Sequence, residues 1–240
     1  MSKPVRLFIA GDSTAAVKGG GDKPMTGWGE YLQSYFPADR IIVDNRAVNG
    51  RSTKSFIDEG RLAHIQRDLQ PGDYLFIQFG HNDGKQEDPA RYTDPEEAYP
   101  ANLRLFVETA RQAGAHPVLL TSVSRRRYLA DGSLDPQAVD GYPAAMRRAA
   151  RECGVPLLDL FTASQELYNE LGPEASKRLL MHLAPGEHPN YPDGVADDTH
   201  FSDEGAREMA RLAAAAIRTE PLLKELAARI ERESVQTQTV

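Results

Sequence analysis

The sequence predicts an α/β protein, a three-layer α/β/α sandwich with a central sheet of five parallel strands. The prediction rests on two observations. Five short apolar runs alternate with segments of helical periodicity. The third run, Asp73–Phe79, is almost continuously apolar, as expected for a parallel strand covered on both faces. The predicted strands are Val5–Ala10, Ile41–Asn45, Asp73–Phe79, Pro117–Ser122 and Val155–Leu160.

Segments with helical periodicity connect these strands and follow the last one. Thr26 is predicted to cap the first helix, in which Trp28 and other aromatic residues recur near helical spacing. The other predicted helices are Ile57–Leu69, Asn102–Gln112, Pro136–Glu152, the segment from the fifth strand to Glu170, and Glu204–Arg218. After Pro221, apolar residues predict a last helix that folds back on the body or onto a second subunit, as in a homodimer. We therefore expect one domain over 1–220, then a C-terminal helix and flexible tail over 221–240.

The composition of the 240-residue chain is that of an ordinary globular protein, with 40% apolar and 26% charged residues. Its net charge of -7 argues against nucleic acid and anionic membrane surfaces as partners. No apolar run approaches the roughly 20 residues that cross a bilayer. The first run, Leu7–Ala10, is far too short for the core of a secretion signal, so we expect a cytoplasmic protein. The single cysteine, Cys153, excludes an intrachain disulfide and a multi-thiolate metal site.

Three of the predicted strands end in polar loops that contain glycine. The first strand stops at Gly11, shortly before Ser13, and the second and third are followed by Gly50 and Asn82. Open α/β sheets bind ligands beyond the carboxyl ends of their strands. We therefore expect Ser13, Gly50 and Asn82 to meet along one edge of the sheet.

A long, irregular segment, 182–200, precedes the last helix of the domain and contains three histidines. Loops of this length in a compact domain are usually functional or disordered. The segment ends in Asp197-Asp198-Thr199-His200, so Asp197 and His200 come from one turn of chain. We expect this turn to reach the same edge of the sheet as Ser13.

These residue types fit an acyl-transfer site. Ser13 would be the nucleophile, His200 the base that takes its proton, and Asp197 the carboxylate that orients the imidazole. The backbone N–H groups of Ser13 and Gly50, with the side-chain amide of Asn82, would receive the oxyanion. Glycine suits position 50 because an N–H group with no side chain in front of it can approach a substrate closely.

Four motifs, in this order, resemble the signature blocks of the SGNH (GDSL-type) hydrolases. They are Gly11-Asp12-Ser13, Gly50, Gly80-His81-Asn82-Asp83 and Asp197-Asp198-Thr199-His200. The longer strings resemble the rhamnogalacturonan acetylesterase branch, and the similarity extends from Leu7 to about Arg218. These strings are Gly11-Asp12-Ser13-Thr14-Ala15, Asn49-Gly50-Arg51-Ser52 and Thr199-His200-Phe201-Ser202.

The resemblance implies the flavodoxin-like SGNH hydrolase fold and a triad of Ser13, His200 and Asp197, with Gly50 and Asn82 completing the oxyanion hole. It implies a serine esterase without metal or organic cofactor that removes O-acetyl groups from pectin-type sugars. The substrate would be a small-molecule or oligosaccharide acetyl ester. The absence of a visible secretion signal would suit short, imported oligosaccharides, and the acyl group and the sugar stay open.

A metal-dependent hydrolase is the competing enzyme class. Metal-ligating side chains gather in the segment 182–200, at His182, His188, Asp193, Asp197 and His200. Their spacing matches no compact motif such as His-Glu-x-x-His, and a metal site there would leave Ser13, Gly50 and Asn82 without a role.

A non-catalytic carbohydrate-binding module is the third class. It would need aromatic platforms but no nucleophile. The candidates for such platforms are Trp28, Tyr92, Tyr128 and Tyr191.

Two segments outside these motifs are predicted to lie at the surface. Val17–Pro24 is rich in glycine and predicts a flexible loop, since it lacks the spacing of a phosphate- or dinucleotide-binding loop. The cluster Arg125–Arg127 could contact an anionic substrate, but a solvated positive patch is the favoured interpretation. Asp198 is expected to structure its loop, with pairing to His200 in place of Asp197 as the alternative. His81 is expected to shape its loop, with contact to the substrate as the alternative.

Overall fold

The computed structural model describes residues 3–231 and has the predicted central sheet. Its strands are β1 (Val5–Gly11), β2 (Ile41–Asn45), β3 (Tyr74–Gln78), β4 (His116–Leu120) and β5 (Leu157–Leu158). All neighbouring pairs are parallel, in the order β2-β1-β3-β4-β5. Because β1 lies between β2 and β3, the loops that follow these three strands begin side by side at one edge of the sheet.

Helices cover both faces of this sheet and complete the predicted α/β/α sandwich. They are α1 (Thr53–Asp58), α2 (Arg61–Asp68), α3 (Ala98–Gln112), α4 (Tyr142–Cys153), α5 (Leu160–Ala175), α6 (Asp203–Thr219) and α7 (Lys224–Ala227). Successive side chains of β1 point to opposite faces, as in any strand. Leu7 and Ile9 join the apolar layer that contains Met209 of α6, whereas Phe8 joins the layer that contains Phe106 of α3.

The prediction of a continuous helix after Thr26 is wrong. Two short 3₁₀ helices, Trp28–Glu30 and Leu32–Tyr35, occupy this segment. The backbone N–H of Thr26 donates to Phe201 at 3.0 Å and that of Trp28 donates to Thr14 at 2.9 Å, so both serve tertiary contacts instead of an α-helix. Similarly, the predicted helix Ile57–Leu69 is divided into α1 and α2, because Gly60 between them has the left-handed φ of +72°.

The irregular loop expected over 182–200 is instead largely a β-hairpin. Strands β6 (Leu180–Leu183) and β7 (Val195–Phe201) pair antiparallel, with an irregularity between Leu180 and Met181. Only the ends of β7 carry apolar residues, and most of its side chains are partly or fully exposed. A strand of this kind lacks the alternation of apolar and polar residues by which strands are recognised in a sequence.

The C-terminal segment packs on the chain itself. A 3₁₀ helix, Pro221–Leu223, leads into α7, and the side chains of Leu223, Leu226 and Ile230 are buried in the first apolar layer. Three of the four residues in the stripe that suggested a homodimer are thus covered by their own chain, Leu222 is exposed, and the structure gives no support for a dimer. The last part of the predicted flexible tail, 232–240, lies outside the described residues.

None of the helices within residues 3–231 has the length and apolar character needed to cross a bilayer. The cytoplasmic location stays a prediction.

Candidate active site

Ser13 lies just beyond the end of β1, in a loop held by the buried side chain of Asp12. The Oδ1 atom of Asp12 accepts hydrogen bonds from the backbone N–H and the hydroxyl of Thr14, at 2.9 and 2.8 Å. The backbone carbonyl of Asp12 accepts from the N–H groups of Ala15 and Ala16. These local bonds turn the chain sharply after the strand and leave the side chain of Ser13 partly exposed at the edge of the sheet.

The hairpin brings His200 to Ser13, 187 positions earlier in the sequence. Ser13 Oγ lies 2.9 Å from Nε2 of His200, and Nδ1 of His200 lies 2.7 Å from Oδ2 of Asp197. The other carboxylate oxygen of Asp197 accepts from the backbone N–H groups of Thr199 and His200, at 2.7 and 3.0 Å. Both oxygens of the carboxylate are therefore held by hydrogen bonds, and this fixes the orientation of the imidazole ring.

The environment of Asp197 keeps its carboxylate ionised. Partial burial alone would raise its pKa, but the hydrogen bond and charge of His200 and the two backbone N–H groups together lower the pKa to about 2. An ionised carboxylate is an acceptor only, so the nitrogen of His200 that faces Asp197 carries a proton. In the neutral imidazole, Nε2 is then the acceptor that faces the hydroxyl of Ser13.

The loops after β2 and β3 contact each other through the side chain of Asn82. Nδ2 of Asn82 donates to the backbone carbonyl of Arg51 at 3.1 Å, directly after Gly50. Oδ1 of Asn82 accepts from Arg91 at 3.1 Å, so the guanidinium fixes which side of the amide carries the N–H groups. Gly50 has a φ of +75°, and a Cβ atom at this position would meet no atom within 4 Å. The space in front of the Gly50 backbone is therefore open.

Lys18 joins two of these loops, although its sequence context predicts a flexible surface loop. Its side chain is buried, and its amine donates to the backbone carbonyl of Ser13 and to Oδ1 of Asn49, the latter at 2.5 Å. Burial lowers the pKa of Lys18 to about 8, although the carboxylates of Asp12, Asp22 and Glu30 oppose this shift. The sequence does not indicate this contact, because a single lysine before a run of glycines is typical of a surface loop.

The Gly80-His81-Asn82-Asp83 loop is held by buried polar groups. Nε2 of His81 bonds to the carbonyl of Val123 at 2.8 Å, and burial lowers the pKa of this imidazole. The carboxyl group of Asp83 accepts from the backbone N–H and hydroxyl of Thr53 and from the hydroxyl of Thr93. Asp83 thereby ties this loop to the start of α1, and its burial raises its pKa to about 7.

Asp198 contacts a different set of partners from its neighbour. Its Oδ1 atom lies 2.6 Å from Nη1 of Arg126 and 2.8 Å from Nε2 of His182. Arg126 is only 7% exposed and also bonds to Ser176 and Pro173. The prediction of a solvated arginine patch is therefore wrong at Arg126. Its guanidinium is buried because each of its nitrogens has a hydrogen-bond partner inside the protein.

The histidines of the hairpin do not converge. His182 bonds to Asp198, His200 lies between Ser13 and Asp197, and the ring of His188 accepts from the N–H of Asn190. Among residues 3–231, no group of three or more histidine, cysteine or carboxylate side chains is placed to hold a metal ion.

A hydroxyl bonded to an imidazole, which is in turn held by a carboxylate, is the arrangement that nucleophilic acyl transfer requires. On a five-stranded parallel sheet, it defines the class of the SGNH-type hydrolases. Residues 9–208 match the model of the GDSL-like lipase/acylhydrolase family, and the chain belongs to this family. It is a carboxylic ester hydrolase.

Two relatives from Bacillus subtilis (strain 168) are similar over nearly their whole length. Rhamnogalacturonan acetylesterase RhgT is 46% identical over 217 residues, which cover 90% of this chain and 91% of the relative. The probable rhamnogalacturonan acetylesterase YesY is 38% identical over 225 residues, covering 91% and 98% of the two chains. The branch predicted from the motifs is therefore confirmed.

Solved structures confirm the fold. The crystal structure of the Bacillus subtilis protein YxiM superimposes with a TM-score of 0.78 at 24% identity, covering 95% of this chain and 58% of the other. An acetylxylan esterase from Geobacillus stearothermophilus superimposes with a TM-score of 0.63 at 18% identity, covering 89% and 94%.

Proposed function

We propose that the protein is a serine esterase that removes O-acetyl groups from carbohydrates, with pectin-type oligosaccharides related to rhamnogalacturonan as substrates. The observation that carries the proposal is the pair of hydrogen bonds that joins Ser13 Oγ to His200 at 2.9 Å and His200 to Asp197 at 2.7 Å. The printed names of the two relatives, both acetylesterases of rhamnogalacturonan, support the substrate class.

In the first half of the reaction, Ser13 Oγ attacks the acetyl carbonyl while its proton passes to Nε2 of His200. The carboxylate of Asp197 stabilises the imidazolium that forms. The backbone N–H groups of Ser13 and Gly50 and the amide of Asn82 donate to the oxyanion, where each donor is worth about 2 to 4 kcal/mol of barrier. The bond between the acetyl carbon and the sugar oxygen then breaks, the imidazolium gives its proton to that oxygen, and the acetyl group stays on Ser13 Oγ.

In the second half, water replaces the sugar. His200 takes a proton from the water, which attacks the acetyl carbonyl and passes through a second oxyanion at the same donors. Collapse of this intermediate breaks the bond to Ser13 Oγ, to which the imidazolium returns its proton, and the acetyl group leaves as acetic acid, which ionises to acetate. Each step uses groups of this chain and water, and none needs a metal or an organic cofactor.

The proposal is tested by Ser13→Ala, with Ser34→Ala as the matched control. The hydroxyl of Ser34 bonds to the carbonyl of Tyr31 and lies on an exposed 3₁₀ helix. We expect Ser13→Ala to lower kcat for p-nitrophenyl acetate and for acetylated rhamnogalacturonan oligosaccharides by at least about 10⁴-fold, because the nucleophile is lost. Ser34→Ala should retain activity.

A serine-directed organophosphonate should abolish turnover and add its mass at Ser13, whereas chelation by EDTA should leave the rate unchanged. A Ser13→Ala variant that folds and turns over at the wild-type rate would refute the proposal. Loss of activity after chelation would favour the metal-dependent alternative.

A further inference from the structure

A cavity of about 500 Å³ opens beside the strand that carries His200. Asp198 and Thr199, the two residues before His200, form part of its wall, and the loop 125–128 forms another part. Its volume lies within the range of small-molecule binding sites. The cavity is therefore large enough for a sugar unit next to the one that carries the reacting ester.

The wall of this cavity carries more positive than negative charge. Its cations are Arg125, Arg126, Arg127 and Lys177, and its carboxylates are Glu174 and Asp198. Three of the cations have a carboxylate partner at 2.6 to 2.8 Å, since Arg126 pairs with Asp198, Lys177 with Glu174, and Arg127 with Asp135 outside the wall. Within the described part of the chain, Arg125 has no carboxylate partner.

The guanidinium of Arg125 is also poorly satisfied by hydrogen bonds. Its Nε atom is buried without a partner among residues 3–231, and Nη2 makes a long contact, 3.4 Å, with the carbonyl of His81. A buried N–H group without an acceptor costs free energy that a bound ligand with acceptor oxygens would recover.

Arg125 lies between this cavity and the catalytic edge of the sheet. It also lines a smaller polar cavity of about 140 Å³ together with Gly80 and His81. In the larger cavity, Arg125 shares the wall with Asp198 and Thr199, which directly precede His200 in the chain. A ligand on Arg125 would thus lie next to the strand that carries His200.

We propose that Arg125 binds a carboxylate of the substrate, and that this contact makes the enzyme prefer acetylated oligosaccharides that contain uronic acid over neutral ones. The proposal rests on the proposed function and names Arg125 as the residue that recognises the negative charge of the substrate. A guanidinium is suited to this role, because its planar array of N–H donors matches the two oxygens of a carboxylate. The neighbouring cations already have partners, which leaves Arg125 free to bind the ligand.

A pair of substrates that differs only in charge tests this assignment. Acetylated oligogalacturonate is compared with its methyl ester, in which the carboxylates are neutral but the sugars and acetyl groups are the same. We expect the wild-type enzyme to have a higher kcat/KM for the free acid. Arg125→Gln should lower the ratio of the two kcat/KM values by about 10-fold or more, as is usual when a hydrogen bond to a charged group is lost. Arg148→Gln, which removes a partly exposed arginine of α4 that pairs with Glu96, should leave the ratio unchanged.

A binding measurement makes the test independent of turnover. Calorimetry with unacetylated digalacturonate should give a Kd about 10-fold higher for Ser13→Ala/Arg125→Gln than for Ser13→Ala alone. An equal loss of kcat/KM on the free acid and the methyl ester would overturn the proposal, since it would show that Arg125 only supports the His81 loop. Unchanged binding of digalacturonate would overturn it as well. Failure of the proposed function has a different signature, namely ester hydrolysis that persists in Ser13→Ala.

Discussion

The amine of Lys18 lies 2.5 Å from Oδ1 of Asn49 and also donates to the backbone carbonyl of Ser13. One buried side chain thus connects the loop of the proposed nucleophile to the loop whose next residue, Gly50, is a proposed oxyanion donor. The backbone joins the starts of the two loops, where the N–H group of Val48 donates to the carbonyl of Gly11 at 3.0 Å, and Lys18 adds a second link nearer to Ser13. We expect this second link to position the Ser13 loop relative to the N–H group of Gly50.

We expect Lys18→Met to lower kcat by about 10-fold or more with a smaller change in KM, since methionine has a similar length but removes both hydrogen bonds. Activity of the wild-type enzyme should also decline as pH rises through about 8, the lowered pKa of Lys18, because the amine then loses its charge. Lys18→Met should lack this decline. Rate profiles from pH 6 to 10 on p-nitrophenyl acetate measure both effects, and a wild-type kcat in Lys18→Met would contradict the positioning role.

Gly50 and Gly132 form a natural pair for testing the oxyanion loop. Both have left-handed φ values, +75° and +85°, and a Cβ atom at either position would meet no atom within 4 Å. Alanine at either position should therefore cost a similar backbone strain, about 1 to 2 kcal/mol. Only Gly50→Ala should lower kcat substantially, because its methyl group would extend into the space expected for the oxyanion. Thermal unfolding and kinetics of both variants separate strain from catalysis, and equal activity of the two would remove Gly50 from the site.

The sheet was predictable from the sequence because its strands are buried on both faces. All five residues of β3 are buried and the first four are apolar, so this apolar run identifies the strand without any knowledge of its neighbours. The strand order, with β1 between β2 and β3, places the carboxyl ends of these three strands together. The detailed positions of the loops that carry Gly50 and Asn82 also depend on side-chain contacts such as those of Lys18 and Arg91.

The parts that were not predictable depend on contacts between segments far apart in the chain. The hairpin of β6 and β7 has few buried residues, so its composition resembles a loop. The roles of Lys18 and Arg126 depend on acceptors far away in the sequence, Asn49 and Asp198 respectively. Charged residues are usually exposed, and only the folded chain shows which of them are paired inside it.

Asn82→Ala tests the third proposed oxyanion donor. Arg91 holds the carbonyl oxygen of the amide, which leaves the N–H groups on the side of the Gly50 loop. We expect kcat to fall by about 10²–10³-fold, the usual effect of losing one such donor, while the free energy of unfolding changes little by comparison. Asn169→Ala, an exposed asparagine on α5, is the matched control. An increase in KM with kcat unchanged would indicate that Asn82 binds the substrate and does not stabilise the oxyanion.

Asp197→Asn should reverse the hydrogen bonding of His200. The Oδ1 atom of Asp197 accepts both backbone N–H groups, so asparagine should keep its oxygen there and place its NH₂ group against Nδ1. Nδ1 would then have to accept, and the proton would move to Nε2, which could no longer take the proton of Ser13. We expect kcat to fall by about 10⁴-fold, with Ser13 almost unreactive toward an organophosphonate.

The same variant has a pH signature in stability. The pKa of Asp197 is lowered to about 2 in the folded protein, so its ionised form stabilises the fold above the unfolded pKa, and this contribution is lost as pH falls toward 2. The difference in unfolding free energy between wild type and Asp197→Asn should therefore be present at pH 5 and shrink between pH 4 and pH 2. Asp198→Asn is the control, because it loosens Arg126 but leaves the bond between Asp197 and His200 intact. Should Asp198→Asn show the larger loss of kcat, the assignment of the triad carboxylate would pass to Asp198.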